Sequence, residues 1–288
     1  MHTKGLTTLC LAAAWALPQA AMAGNFIGLG QPGPQGWSAQ LYPTWSKPQA
    51  SPATASAFAE LSYFTPTGFT GTPRDRHQFW AAASAGHARA AAGSGDSATG
   101  IMGQQLAYEY YYNAIEKRQG DALTWWTTPY ASVTFPNGSR KASGFGAGGN
   151  QYSYLLGWNN YIGRGRWSIT FAPVLLSYSA RARHATHSPG GSLERQRAGL
   201  SLTLADTAIG YRVTPQLDLG IHHSYSIYNH ARSDFATQRQ RRLGPSFAYL
   251  GLMKPYNIYV AGNLSFDYHA SAGMKKATSL SAVVIRFF

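Results

Sequence analysis

Apolar and polar side chains alternate at every second residue along several segments of the chain. Between positions 256 and 268, the apolar set includes Ile258, Val260 and Leu264, and the acidic residue of the segment, Asp267, belongs to the other set. Successive side chains of a β-strand point to opposite faces, so this segment predicts a strand with one apolar and one polar face.

The same alternation recurs at 104–115, 151–162 and 216–228, and weaker versions of it extend over most of the chain. The Ala-rich run from Ala81 to Ala92 has low β-propensity, so the first three strands have the weakest pattern. Ten strands behind a longer N-terminal arm are the alternative to twelve. The predicted strands are 37–46, 56–65, 77–89, 101–115, 123–136, 150–162, 166–181, 198–213, 217–230, 243–253, 256–269 and 278–288.

The connections between these strands alternate in length. Tight turns rich in Gly and Pro separate longer polar stretches, which is typical of bacterial outer-membrane barrels with short periplasmic turns and longer external loops. We therefore predict an all-β fold, a membrane-spanning antiparallel up-and-down β-barrel of about 12 strands, in the outer membrane of a Gram-negative bacterium. The turns are at 163–165, 214–215 and 254–255, and the long stretches are at 182–197, 231–242 and 270–277.

In such a barrel the apolar face of each strand contacts lipid and the polar face lines the lumen. The strongest alternating segments supply the predicted lumen-lining residues, which are Gln105, Glu109, Asn113, Asp218, His222, Ser224, Asn257, Tyr259, Asn263 and Asp267.

The two ends of the chain fit export to that membrane. Residues 1–23 carry Lys4, an apolar run and a closing Ala21-Met22-Ala23, which is the order of a secretory signal peptide. Residues 24–36 contain too much Gly and Pro for a regular strand, so we predict an N-terminal arm there and the barrel at 37–288. We hypothesise that this arm narrows the pore. The final Phe288 resembles the assembly signal of outer-membrane barrels, although Arg286 departs from it, and the barrel assembly machinery is an expected partner.

Composition narrows the class of protein further. Only 12% of the residues are charged and 14% are aromatic, and no segment after the signal approaches the roughly 20 apolar residues of a spanning helix. A helical membrane protein is therefore excluded, whereas a soluble all-β sandwich is compatible with the composition alone.

The formal net charge is +13, and the basic residues cluster in or beside the predicted external loops. Arginine forks pair well with phosphate, so outer-membrane lipid and lipopolysaccharide are expected partners. Solvated loops without a partner are the alternative. No reading element for nucleic acid accompanies the charge, so we expect no nucleic-acid binding. The candidate lipopolysaccharide contacts are Arg183, Arg195, Arg197, Arg239, Arg241, Arg242, Lys275 and Lys276.

One segment could carry catalytic chemistry. His222 and Ser224 are two residues apart on a predicted strand and therefore share a face, as in the His-x-Ser arrangement of outer-membrane phospholipases and lipid A deacylases. In those enzymes Asn follows the Ser, whereas Tyr225 follows here. The alternation also turns this pair toward the lumen, where polar lining is the simpler interpretation. We predict a protein that is not an enzyme, with no catalytic residues, no cofactor and no metal.

Several short motifs in the later two thirds of the chain recur together. They are Tyr108 to Asn113, GNQYSY at 149–154, GYRVTP at 210–215, LGPSFAY at 243–249 and the closing RFF. In combination they resemble the family of outer-membrane proteins named for the meta-pathway of phenol degradation. The resemblance implies a barrel that admits hydrophobic or aromatic compounds, and it carries over no catalytic residue.

We therefore predict an outer-membrane channel for passive uptake of small organic molecules, with hydrophobic or aromatic compounds as the class that the resemblance implies. A lipid-modifying barrel hydrolase and a surface interaction protein with basic extracellular loops are the two alternatives.

Overall fold

The computed structural model shows a closed, antiparallel β-barrel. Among the described residues twelve strands form the barrel wall. A separate pair of two-residue strands, β8 (Thr186–His187) and β9 (Leu193–Glu194), is not part of it. The wall strands are β1 (Gly36–Pro48), β2 (Thr54–Phe64), β3 (Arg76–Arg89), β4 (Ser97–Glu116), β5 (Leu123–Thr134), β6 (Ser153–Arg164), β7 (Trp167–Ser179), β10 (Gly199–Thr214), β11 (Leu217–His230), β12 (Gln238–Tyr249), β13 (Ile258–Ala270) and β14 (Ala277–Phe287). The structure describes residues 25–49, 53–66, 74–89, 97–116, 123–137, 151–181, 183, 186–187, 193–194, 198–230, 238–271 and 275–288.

Each wall strand pairs with its neighbours in sequence order, and β1 pairs with β14 to close the barrel. The closing pairs run from Ser38 opposite Phe287 to Pro48 opposite Ala277. Closure leaves no open sheet edge, which is the condition for a sheet to cross a bilayer. The prediction of an up-and-down barrel of about twelve strands is confirmed, and the alternative of ten strands is wrong.

Strand β3 forms in spite of its Ala-rich sequence. It pairs with β2 through Ala81 opposite Leu61 and with β4 through Ala83 opposite Gln104. Strand β3 is hydrogen-bonded to a neighbour on each side. This pairing decides the local structure more than the β-propensity of each residue does.

The outer surface of the wall is apolar. Large hydrophobic side chains point away from the barrel and stay exposed, among them Leu61, Leu156, Trp158 and Ile221, each with more than half of its surface accessible. A closed barrel with this surface is a transmembrane protein of the outer-membrane type, since lipid is the solvent that such side chains require.

The inner surface is mostly polar and buried. Gln40, Glu60, Thr170 and Ser265 are each below a tenth exposed, and they alternate along their strands with the outward apolar residues. Polar side chains facing the interior are the second feature of a membrane barrel.

One helical turn, α1 (Met253–Tyr256), connects β12 to β13 at the end of the barrel where the other turns are tight. Across the described ranges, no helix has the length and apolar character needed to span a membrane. Arg286 lies on the outer face of β14, and its guanidinium stacks on the ring of Phe288 with 5.1 Å between the guanidinium carbon and the ring centroid.

Candidate functional site

The residues before β1 lie inside the barrel. Phe26 and Ile27 are 2% and 0% exposed, and they pack against wall residues of four strands, namely Ala208, Ala248, Tyr259, Ala261, Val283 and Ile285. We call residues 25–35 the arm. It enters the lumen at the turn end of the barrel, where Gly33 approaches the rings of Phe64 and Phe287.

Hydrogen bonds fix the inner end of the arm to the wall. The backbone N–H of Asn25 donates to the carboxylate of Asp206 at 3.2 Å, and the side-chain amide of Asn25 donates to the Asp206 carbonyl at 2.6 Å. The amide of Asn263 donates to the Asn25 carbonyl at 3.0 Å, and the hydroxyl of Tyr259 donates to the carbonyl of Ile27. Because these groups are buried, each bond satisfies a polar atom that would otherwise lose solvation.

A β-bulge in β10 directs Asp206 into the lumen. The register of β10 with β11 shifts between Leu204 and Thr207, and Ala205 has a left-handed φ of 50°. Before the bulge the buried residue is Thr203, and after it the buried residues are Asp206 and Ala208. The extra residue reverses the alternation and so aims an acidic side chain at the arm.

A cavity of about 380 Å³ lies between the arm and the barrel wall. Residues of β1 to β6 contribute most of its lining, and the other strands add residues that include Arg212, Asp218 and Tyr259. Aromatic rings account for much of that wall, with Tyr42, Phe58, Trp80, Tyr111 and Tyr130 among the lining residues. The ring of Phe58 meets that of Tyr42 edge-on at 5.6 Å and that of Trp80 at 5.7 Å between centroids. Edge-to-face pairs of this kind hold aromatic rings in fixed positions.

Two carboxylates belong to the same wall. Glu60 accepts hydrogen bonds from the amides of Gln40 at 2.7 Å and Gln78 at 3.1 Å. Glu109 accepts from the indole of Trp80 at 3.1 Å and from the hydroxyl of Tyr111 at 2.7 Å. This network orders the side chains of β1 to β4 along the cavity.

The opposite wall pairs its carboxylates with basic side chains. Arg212 forms a two-point contact with Asp218 at 2.8 and 3.1 Å. Arg242 donates to Asp267 at 2.9 Å, and Asp267 also accepts from Gln240 and from the backbone of Ala277.

His222 lies in an Asp–His–Ser arrangement that the sequence did not indicate. Its Nε2 is 2.6 Å from the Asp206 carboxylate, and its Nδ1 is 3.2 Å from the hydroxyl of Ser265. The serine in contact is therefore Ser265 of β13 rather than Ser224. None of these residues lines the cavity, and Asp206 also holds the arm.

Most of the predicted lumen residues lie on the inner face. Glu109, Gln105, Asp218 and Tyr259 line the cavity, and the amide of Gln105 donates to Ser132 at 2.7 Å. Asn113 lies near the turn end of β4, opposite Trp126. The predicted lumen residues on the inner face of β11 and β13 are each below a tenth exposed, namely Asp218, His222, Ser224, Asn263 and Asp267.

The prediction for Asn257 is wrong. This residue is exposed at the end of α1, with a left-handed φ of 54°, and the strand begins only at Ile258. The turn after Lys254-Pro255 needs a left-handed residue to end the helical turn, and asparagine tolerates that conformation.

The prediction for Arg242 is also wrong. Strand β12 begins at Gln238, before the predicted start at 243, so the last five residues of the predicted loop, 238–242, are part of the wall. Alternation from Gln240 then turns Arg242 inward to Asp267, away from lipopolysaccharide.

The other basic candidates divide into three groups. Arg239 and Arg241 are exposed on the outer face of β12 near the loop end, and the guanidinium of Arg241 lies 4.9 Å from the centroid of the Tyr225 ring. Arg183 and Lys276 are exposed, and Lys275 is half-buried, beside the loops. Arg195 and Arg197 lie outside the described residues. Lipopolysaccharide contact stays a prediction for all of them.

Comparison with known proteins supports the class of protein that the barrel defines. No family model matches the sequence, and no curated protein matches it either. Among solved structures, the COG4313 outer membrane channel from Pseudomonas putida F1 is similar at 15% identity, with 91% of this chain and 98% of that chain covered and a TM-score of 0.68.

Two autotransporter barrels are also similar to the chain. The translocator domain of NalP from Neisseria meningitidis is 11% identical, over 99% of this chain and all of that chain, with a TM-score of 0.53. The β domain of the Bordetella autotransporter BrkA is 11% identical, over 88% of this chain and 99% of that chain, with a TM-score of 0.52. At these identities the similarity shows a shared fold, the closed barrel of Gram-negative outer membranes.

Proposed function

We propose that the protein is an outer-membrane channel for passive uptake of small organic molecules, hydrophobic or aromatic ones included. The observation that carries the proposal is the cavity of about 380 Å³ between the arm and the aromatic wall of β1 to β6. A volume of that size is at the lower end of the range of small-molecule sites, and its aromatic and polar lining suits amphipathic solutes.

The arm sets the size of this passage. Phe26 and Ile27 fill the side of the lumen next to β10 and β13. The space that remains for solutes therefore lies along Tyr42, Trp80 and Tyr130. A narrow passage with aromatic walls favours single small molecules over large hydrated solutes. The resemblance to the phenol meta-pathway family agrees with aromatic solutes, and membership of that family stays a prediction.

Liposome swelling tests the proposal. Refolded protein in liposomes should accelerate swelling in neutral aromatic solutes such as benzyl alcohol derivatives more than in sugars of similar mass. Swelling rates equal to those of protein-free liposomes for every solute would contradict the proposal.

A lipid-modifying hydrolase is the second candidate, favoured by the contacts of His222 with Asp206 and Ser265. In serine hydrolases a histidine between an acid and a serine activates the hydroxyl. Ester hydrolysis that is abolished by Ser265→Ala and retained by Ser224→Ala would support this candidate. Hydrolysis absent from the wild-type protein, together with solute flux, would support the channel.

A further inference from the structure

The cavity contains the chemistry of an organic-cation site. Its wall includes the aromatic rings of Tyr42, Phe58, Trp80, Tyr111 and Tyr130. The face of an aromatic ring has a negative quadrupole, so several rings around one space attract a cation that also has apolar groups.

The charges in the lumen are distributed unevenly around the cavity. On β10 to β13, Asp206 contacts His222 at 2.6 Å, and Asp218 and Asp267 contact arginines at 2.8 and 2.9 Å. Each acidic side chain of that wall therefore has a basic neighbour within the described structure, and this includes the Arg212–Asp218 pair, which also lines the cavity.

The two carboxylates on the aromatic wall differ from these. Among the described residues, Glu60 and Glu109 contact no lysine, arginine or histidine, and the donors around them are amide, indole and hydroxyl groups. Neutral donors orient a carboxylate without cancelling its charge. Both side chains line the cavity, where a cationic solute would supply the counter-charge that neither carboxylate has in the described structure.

Hydrogen bonds connect the aromatic rings of the cavity to the two carboxylates. The indole of Trp80 donates to Glu109 at 3.1 Å, and the same indole packs edge-on against Phe58. The hydroxyl of Tyr111 lies 2.8 Å from the amide oxygen of Gln78, whose nitrogen donates to Glu60. A solute against these rings is therefore also within the field of both carboxylates.

We propose that the passage selects small organic cations, such as amines and quaternary ammonium compounds with aromatic or alkyl groups, over organic anions of the same size. This inference rests on the proposed channel function and names the class of solute. The aromatic rings supply contact with the apolar part of the solute, and Glu60 and Glu109 supply the preference for positive charge.

Reversal potentials test the inference. Refolded protein in a planar bilayer is exposed to a concentration gradient of benzyltrimethylammonium benzenesulfonate, a salt in which both ions are substituted benzenes of similar size. We expect a reversal potential with the sign of cation selectivity, at a permeability ratio of about fivefold or more. That ratio corresponds to about 1 kcal/mol of preference for the cation from the carboxylates and the rings together.

Variants assign the selectivity to the two carboxylates. The pair Glu60→Gln and Glu109→Gln removes both carboxylates and keeps the length and shape of the side chains, so the reversal potential should move toward zero. The matched pair Glu60→Asp and Glu109→Asp keeps the charges and should keep the sign.

The outcomes separate the two proposals. Conductance without cation preference in the wild-type protein, or unchanged preference in the double Gln variant, would overturn this inference and leave the channel intact. No conductance for any ion or neutral solute would contradict the channel itself, and this inference with it.

Discussion

Ile27 anchors the arm, and its truncation should release the arm from the lumen. The side chain is fully buried, and it lies so close to Gly210 that a Cβ on that glycine would be 2.5 Å from the Ile27 Cγ2 atom. Replacing a buried isoleucine with alanine removes these contacts and leaves a cavity, at a cost of about 2–5 kcal/mol.

The substitution lowers the stability of the docked arm and not that of the displaced arm, because residue 27 makes its packing contacts only when the arm is docked. A tenfold change in population corresponds to about 1.4 kcal/mol, so even the lower limit raises the population of the displaced arm roughly 25-fold. The hydrogen bonds of Asn25 remain in the variant, so the arm should move reversibly between docked and displaced states.

Single-channel recording of Ile27→Ala measures this change. We expect a second, larger conductance level, or longer dwell times at it, compared with the wild-type protein. Gln35→Ala is the matched control, since Gln35 is an exposed residue of the arm that does not line the cavity. Conductance and dwell times of Ile27→Ala that equal those of the control would refute the anchoring role of Ile27.

Three further predictions test the barrel wall. Asp267→Ala should lower the free energy of unfolding by about 3–5 kcal/mol, because it leaves the largely buried Arg242 without its acidic partner. Arg241→Ala on the outer face should cost about 1 kcal/mol or less. Urea titration in detergent compares the two variants, and equal losses would contradict the role of the Arg242–Asp267 pair. Gly157→Ala should lower conductance, since the added Cβ would lie 2.2 Å from the ring of Tyr130 and push it toward the cavity; unchanged conductance in a folded variant would be evidence against a passage along that ring. Leu156→Arg should reduce stability in bilayers by about 2–4 kcal/mol, as expected for a charge near the bilayer midplane, and a smaller loss would place this residue away from lipid.

The strand pattern in the sequence was sufficient for the fold. Each of the twelve predicted strands overlaps a wall strand of the barrel, because lipid on one side and a polar lumen on the other impose the two-residue period directly on the side chains. The largest error in a boundary was at β12. Its first residues, Gln238 to Arg242, are all polar and look like a loop in sequence. In the barrel Gln240 and Arg242 face the lumen, whereas Arg239 and Arg241 lie on the outer face near the loop end.

The candidate site was only partly predictable. Tyr259 and Glu109 followed from alternation, whereas Asp206 was missed because a bulge reverses the face on which it lies. Glu60 was missed for another reason, since the strand that carries it precedes an Ala-rich strand with a weak pattern. The contacts that join Asn25 to Asp206 span 181 positions, and no local pattern encodes them.

The central claim is that solutes pass through the lumen beside an arm that narrows it. Single-channel recording of the refolded protein, with and without residues 25–35, tests this claim most directly. The account predicts small conductance steps for the full protein and clearly larger steps after the deletion, because the arm fills one side of the lumen. Equal step sizes for the two proteins, or no steps from either of them, would contradict it.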